Sequence, residues 1–232
     1  KLSLRVNPSS MKFYGDDKRK INSDNIFNIN RLGLIDTLET GQNLTLGIDY
    51  KREKLNDINR FFEAKLGTVL RANVYEDIRT SSTINKKKSN YFGKIKNSFN
   101  DNISLDYEFS VDSNLNQFEY NSFGTTISKN KFVTTFNFIE ENGAIGNKNI
   151  LENTTSFNFD DRNFVTFRTR KNREMDLTEY YDLIYEYKND CLVAGMKYKK
   201  TYYNDRDLEP SEDFMLSITL IPMTSIEQKV SD

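Results

Sequence analysis

Hydrophobic and polar residues alternate along most of this chain, in runs of about ten residues that are separated by polar breaks. In residues 43–50, Leu44 and Ile48 fall on one side of an extended chain, and Thr45 and Asp49 fall on the other. A two-residue repeat is typical of a β-strand with one apolar and one polar face, and helical spacing is almost absent. Similar runs predict strands at residues 26–35, 62–75, 89–98, 103–111, 118–127, 132–140, 149–159, 164–171, 181–188, 192–199 and 214–220, with one or two more before residue 20.

This pattern predicts an all-β fold, an antiparallel meander of about 12 long strands. Parallel strands need long crossover connections that usually contain a helix, and the chain has no helical pattern between its strands. No change in composition marks a domain boundary. We therefore expect residues 1–222 to form one sheet, followed by a C-terminal tail at residues 223–232.

Two architectures share this signature, a soluble β-sandwich and a transmembrane β-barrel. A barrel in a membrane turns its apolar face to lipid and its polar face to a wet lumen, with aromatic side chains near both interfaces. The predicted strands have the length that crosses a bilayer when tilted. Their polar faces carry full charges such as Lys65, Glu108 and Lys197, and Tyr185 and Tyr187 lie toward a strand end. These features favour the barrel over the sandwich.

The predicted connections offer a second test, because outer-membrane barrels alternate short periplasmic turns with longer outer loops. Toward the end of the chain, long connections alternate with short ones in three consecutive pairs: 204–212 with 189–190, 172–179 with 160–163, and 141–148 with 128–131. The alternation weakens upstream. There the predicted connection 112–116 is short on the outer side, and 52–60 is long on the inner side.

Composition excludes several kinds of function. Lys and Arg total 33 against 34 Asp and Glu, which argues against a nucleic-acid partner because such proteins usually carry a basic excess. The chain has no His and one Cys, so His-based catalysis and Cys or His metal sites are excluded. We expect no enzyme activity, cofactor or metal. The chain opens KLSLRV without Met or a signal peptide, so we expect a mature product or part of a longer chain.

The last quarter of the chain resembles the C-terminal region of the LptD family of lipopolysaccharide-assembly outer-membrane proteins. The resemblance lies in a strand that ends in an Asn-Asp-Cys turn, a second strand, a DRDLEPS loop and a final strand, at residues 186–191, 192–203, 205–211 and 214–221. Upstream, the segment from Asn30-Arg31-Leu32 to the DTLETG of residues 36–41 is similar to a family segment that enters a strand.

The resemblance implies a fold and a function. Family members form a barrel of about two dozen strands, so this chain would be its C-terminal half, an open curled sheet. The barrel inserts lipopolysaccharide into the outer leaflet through a lateral gate between its first and last strands. The implied partners are lipopolysaccharide, the lumen-plugging lipoprotein LptE, the periplasmic Lpt bridge reached through a jellyroll domain, and outer-membrane lipids. The implied location is the outer membrane of a Gram-negative bacterium, with the C-terminus in the periplasm.

The resemblance also suggests roles for individual residues. Cys191 would form a disulfide with the periplasmic jellyroll domain, and the alternative is a small residue that fills a turn. The final strand would form one wall of the lateral gate, through Phe214, Leu216, Ile218, Leu220 and Pro222. Proline donates no backbone hydrogen bond, so Pro222 would weaken the seam or simply end the strand.

Arg168 and Arg170 lie on the polar face of their predicted strand. Guanidinium groups suit lipid phosphates through paired hydrogen bonds, so both are candidates for luminal contacts with lipopolysaccharide. The alternative, which we favour, is an ion network in the barrel wall with acids such as Glu152 and Asp182. For the whole chain two other functions stay open: an outer-membrane porin or receptor barrel, and a soluble carbohydrate-binding β-sandwich.

Overall fold

In a computed structural model of the chain, residues 1–9, 20–32, 39–202 and 210–221 are described, together with the backbone of residues 224–230. The strands are β1 (Leu2–Asn7), β2 (Gly41–Lys54), β3 (Asp57–Arg71), β4 (Tyr91–Asn100), β5 (Ile103–Val111), β6 (Phe118–Lys129), β7 (Phe132–Glu141), β8 (Lys148–Asn158), β9 (Asn163–Asn172), β10 (Leu177–Lys188), β11 (Leu192–Thr201), β12 (Ser211–Leu220) and β13 (Thr224–Val230). One short 3-10 helix, Thr80–Ser82, lies between β3 and β4. Within the described ranges, no helix is long and apolar enough to cross a bilayer.

The strands form one sheet in which the spatial order follows the chain order from β1 to β13. The predicted all-β antiparallel meander is therefore confirmed, with β1 before residue 20. The strand predicted at residues 26–35 is wrong over residues 26–32, the part that the structure describes. Residues 20–32 form turns instead, because the Asn22 side chain accepts backbone hydrogen bonds from Asp24 and Asn25. Residues 224–230, predicted as a tail, pair with β12 as β13.

The connections after odd-numbered strands are longer than their neighbours after even-numbered strands, except that 159–162 and 173–176 have equal length. The predicted long connection at 172–179 is therefore wrong, because β9 and β10 extend into it. Those after odd-numbered strands comprise residues 8–40, 72–90, 112–117, 142–147, 173–176 and 202–210. Those after even-numbered strands are 55–56, 101–102, 130–131, 159–162, 189–191 and 221–223. The predicted long connection at 52–60 is wrong, because β2 and β3 continue through these charged residues to a two-residue turn. The two exceptions predicted in the first half of the chain, at 112–116 and 52–60, are therefore absent from the described connections.

The chain divides into two compact units. The first comprises Lys1–Asn100, Ser104–Phe123 and Ile139–Lys148, and the second comprises Asp101–Ile103, Gly124–Phe138 and Asn149–Asp232. Each unit contains paired strands with one apolar and one polar face.

In the first unit the apolar face is the exposed one. Leu2 is 71% exposed, Leu4 68% and Ile48 68%, whereas Asn43 and Thr45 on the opposite face are almost completely buried. A soluble sandwich buries its apolar face, so this arrangement is the reverse of the one a sandwich would show. The strands therefore have the polarity of a membrane barrel.

The polar face of the first unit is covered by residues 20–32, which we call the strap, and by the connection 72–90. A small hydrophobic core lies between these segments and the sheet. It is formed by Ile21, Ile26, Val69, Ile78, Ile84 and Phe92, with Phe27, Leu32 and Tyr75 packed against it. Burial of these side chains attaches the strap to the sheet.

Two glycines make room for the strap. Gly47 of β2 and Gly67 of β3 are register partners on the polar face. A Cβ atom at Gly47 would lie 2.7 Å from the Phe27 ring and 2.9 Å from the Leu66 carbonyl oxygen, and one at Gly67 would lie 3.3 Å from Ile26. Glycine inside a strand often marks such a close approach.

The second unit has the same polarity. Leu183 pairs in register with Phe167 on β9 and Tyr198 on β11, and Tyr198 pairs with Phe214 on β12, so the four share the apolar face. Leu183 and Phe214 are 48% and 40% exposed. On the opposite face Asp182 is buried and forms an ion pair with Lys197.

We predict that Gly47→Ala destabilises the strap. The added methyl group has no space beside Phe27 and the Leu66 carbonyl, and overpacking of this kind costs about 1–3 kcal/mol. Hydrogen exchange of the strap amides measures the effect. As a matched control, Gly47→Ala is also made in the Phe27→Ala variant. Without the Phe27 ring, the added methyl group should destabilise the strap less than in the parent protein. An equal destabilisation in both proteins would contradict the packing explanation.

Candidate functional site

The polar face of the first unit carries a buried cluster of one glutamate and three arginines. Arg31 of the strap donates two hydrogen bonds to the Glu39 carboxylate, each 2.5 Å long. Arg71 of β3 also forms an ion pair with Glu39, and Arg5 of β1 lies 3.7 Å from it. The Arg31 and Arg71 side chains are fully buried. The Glu39 carboxylate therefore connects the strap to strands β1 and β3, on which the strap lies.

Hydrogen bonds satisfy the rest of the Arg31 guanidinium. It donates to the Ile26 carbonyl at 2.9 Å, to the Thr45 hydroxyl at 3.0 Å and to the Asn43 side-chain oxygen at 3.2 Å. Burial lowers the pKa of Arg31 to about 10, which still leaves it charged at neutral pH. A buried charge is tolerated when it is paired and hydrogen-bonded in this way.

A second anchor of the strap is Asp24. Its carboxylate accepts hydrogen bonds from Lys65 at 2.8 Å and from Lys94 at 2.6 Å. Partial burial by itself raises the pKa of Asp24, but the hydrogen bonds from the two lysines outweigh it and lower the pKa to about 2. Asp24 is therefore ionised at neutral pH and ties the strap to β3 and β4.

Further ion pairs continue across this face. Lys94 lies 3.8 Å from Glu108, Lys96 lies 3.3 Å from Asp106, and Lys20 of the strap pairs with Glu141. Asp106 and Glu108 are among the residues that the alternation placed on the polar face. Such a charged surface is stable only where water or other charges face it, as in the lumen of a barrel.

The structure brings the predicted luminal arginines into different environments. Arg170 forms ion pairs with Glu152 at 3.3 Å and with Glu179 at 2.6 Å, so it is part of a wall network. Arg168 is exposed on the same polar face, opposite Asp182 in register. Of the two, Arg168 is the one whose guanidinium forms no ion pair among the described side chains.

Cys191 lies in the short turn between β10 and β11 and is an exposed free thiol. The Asn189 side chain accepts hydrogen bonds from the backbone N–H groups of Cys191 and Leu192, at 3.0 and 2.8 Å. Asn189 therefore shapes the turn, and the thiol is accessible.

The predicted gate residues share one face of β12. Phe214, Leu216, Ile218 and Leu220 are each 40–50% exposed on the apolar face. β12 is paired with β11 on one side and with β13 on the other, so the strand predicted as the final one is followed by another. Pro222 lies outside the described residues.

The sequence analysis missed the buried cluster, the Asp24 anchor and the glycine pair. The two glycines inside predicted strands were an available signal, because glycine weakens a strand unless something packs closely on it. Nothing in the alternation could have paired Glu39 with Arg31 and Arg71. In the described portion of the chain, no group of three or more His, Cys, Asp or Glu side chains could hold a metal ion.

An exposed apolar face, a charged and covered opposite face, and a meander of long strands define a membrane β-barrel protein. The profile of the LptD family, LPS transport system D, matches residues 7–171. The chain belongs to this family, and it is an outer-membrane β-barrel component of lipopolysaccharide transport.

Other comparisons add less. A search of curated proteins gave no significant match. Two mutants of the Rh. blastica porin are among the similar solved structures, each 11% identical with a TM-score of 0.43. The alignments cover 85% of this chain and 88% of the porin in one case, and 88% and 89% in the other.

We predict that Glu39→Gln strongly destabilises the first unit. Removing the carboxylate leaves buried arginines without their counter-charge, which costs about 3–5 kcal/mol when one partner of a buried pair is lost. Urea unfolding in detergent micelles, followed by circular dichroism, measures the change.

The matched control is Glu53→Gln, which removes an exposed ion pair with Lys51 on the same sheet. Exposed pairs contribute little, so its unfolding midpoint should stay close to that of the parent. Equal midpoints for the Glu39 and Glu53 variants would show that the buried cluster does not stabilise the unit.

Proposed function

We propose that this chain forms part of the outer-membrane translocon that inserts lipopolysaccharide into the outer leaflet through a lateral gate. The observation that carries the proposal is the family match, which covers most of the chain. The exposed apolar face and the charged polar face support it, because they provide a lipid-facing wall and a hydrated interior. The proposed activity is transport and not catalysis.

The gate would involve the C-terminal strands. The apolar side chains of Phe214, Leu216 and Ile218 lie on the exposed face of β12, where acyl chains would pass. A gate opens by separating strands, so its position depends on which backbone hydrogen bonds are weakest. The proposed role of Pro222 is to reduce the number of such bonds at the end of β12.

The polar side of the gate would receive the phosphorylated head group. Arg168 is exposed on the polar face and lacks the two carboxylates that hold Arg170. A guanidinium without close acidic partners is a better ligand for phosphate than one already paired. We therefore assign the luminal contact to Arg168 first and keep Arg170 as a supporting residue.

The partners follow from the same proposal. LptE would plug the lumen, and the periplasmic bridge would deliver lipopolysaccharide through the jellyroll domain. The connection lengths support an orientation in which the shorter turns lie in the periplasm. In that orientation β13 runs from a shorter turn to the opposite end of the sheet, which does not support the expected periplasmic C-terminus. Cys191 lies in one of the shorter turns, on the side where a disulfide with the jellyroll domain would form.

The gate is tested by site-specific photocrosslinking in living cells. With a benzophenone amino acid in place of Ile218, we expect a crosslink to lipopolysaccharide that disappears when lipopolysaccharide delivery is blocked. The matched control places it at Phe167, which lies on the apolar face of β9 and is similarly exposed. Equal crosslinking at both positions would favour a general porin or receptor barrel over a lateral gate.

The Cys191 tether is tested by gel mobility of outer membranes with and without reductant. If Cys191 is disulfide-bonded, reduction should change the mobility of the parent protein and leave that of Cys191→Ser unaltered. An odd cysteine in an oxidising compartment commonly pairs outside its own segment. Parent and Cys191→Ser proteins that migrate alike under both conditions would exclude the tether.

A further inference from the structure

The β2–β3 hairpin extends beyond its neighbour β4. Strand β3 pairs with β4 from Phe61 to Gly67, whereas the β2–β3 ladder continues to Lys54 and Asp57. The extension is at the end of the sheet that carries the shorter turns. At its tip Leu55 is fully exposed.

The apolar face of this hairpin changes character in layers toward the tip. Hydrophobic positions such as Ile48 come first, followed by the aromatic residues Tyr50 and Phe62, whose ring centres lie 6.2 Å apart. Arg52 lies opposite Phe62 in register, and Arg60 is two residues beyond Phe62 toward the tip of β3. Aromatic rings followed by basic residues are the order in which a membrane protein meets the interface and then the lipid phosphates.

An open cleft of about 630 Å³ lies at this level. The residues that line it include Arg52, Glu53, Lys54, Arg60, Phe62 and Phe99. Phe99, 55% exposed, shares the apolar face, since its strand neighbour Asn97 pairs with Phe62. The cleft thus combines basic groups with aromatic surface.

The charges of the cleft are incompletely paired. Arg60 pairs with Asp57 at 2.9 Å, and Glu53 pairs with Lys51 at 2.5 Å. Among the described residues, Arg52 and Lys54 form no ion pair. On the polar face of the same unit, by contrast, Lys65 and Lys94 are each held by carboxylates. The cleft therefore has positive charge that is available to an external anion.

We propose that this cleft is a binding site for the phosphate head group of an anionic phospholipid in the leaflet next to the shorter turns. The guanidinium groups of Arg52 and Arg60 bind the phosphate, because guanidinium donates paired hydrogen bonds to phosphate oxygens. Arg52 forms no ion pair among the described residues, and Arg60 contacts Asp57 through Nε, so its terminal N–H groups can donate to the phosphate. Phe62 and Phe99 contact the acyl chains. The site rests on the membrane position of the chain and on the proposed orientation, and it is independent of the lateral gate.

The test measures phosphatidylglycerol binding to the purified protein in detergent by native mass spectrometry. The double variant Arg52→Gln/Arg60→Gln should bind at least about tenfold more weakly, because two charge-assisted contacts are lost. The matched control is Lys87→Gln/Lys88→Gln, which removes the same charge from the connection 72–90 and should bind like the parent. Unchanged binding by the arginine variant would overturn the site.

Competition experiments distinguish a phospholipid head group from free phosphate and from lipopolysaccharide as the ligand of the cleft. The proposal expects that inorganic phosphate and zwitterionic phosphatidylethanolamine do not displace phosphatidylglycerol at equal concentration. Displacement by inorganic phosphate would reveal a site for a free anion, and preferential binding of lipopolysaccharide would place the cleft in the other leaflet. Either result overturns the proposal. Lipid binding is measured without transport, so a failure of the lateral gate would be seen separately.

A second measurement tests the site even if the double arginine variant does not fold. The chain contains no Trp, so Phe99→Trp introduces a single reporter in the cleft. Phosphatidylglycerol with brominated acyl chains should quench its fluorescence, and adding Arg52→Gln alone should weaken the quenching. Equal quenching with and without Arg52 would show that lipid contacts this surface without a phosphate site.

Discussion

The structure depends on how buried charge is neutralised on the polar side of the sheet. Glu39 lies between Arg31 of the strap and Arg71 of β3, out of contact with water. A buried carboxylate or guanidinium without a partner is strongly unfavourable. Removing any one of these groups would therefore leave the others buried without their counter-charge. These ion pairs hold the strap, which consists of turns, against the polar face of the sheet.

The strap needs close contact as well as charge. Gly47 and Gly67 let the rings and methyl groups of Phe27 and Ile26 reach the strand backbone, and the small core under the strap forms there. The hydrophobic core of this unit is therefore on the face that carries most charge. The opposite face needs no covering segment, because lipid is its solvent.

Sequence alternation predicted most of the strands and the face to which each side chain belongs. It placed Arg168, Arg170 and Lys197 on one side and Phe214 and Ile218 on the other, as the register confirms. It failed at residues 26–35 and 52–60. Side-chain hydrogen bonds accepted by Asn22 stabilise turns at the start of the strap, next to the first segment. In the second segment β2 and β3 continue through charged residues to a two-residue turn.

By itself, the sequence determined the all-β meander, the polarity of its faces and the family, because a two-residue period and short motifs are local properties of the chain. Tertiary structure alone decided which charges meet. Glu39 and Arg71 are far apart in sequence and meet only in the folded unit, and Asp24 and Lys94 meet only once the strap lies on the sheet. Long-range ion pairs depend on where folding brings two segments together, and periodicity contains no information about that distance.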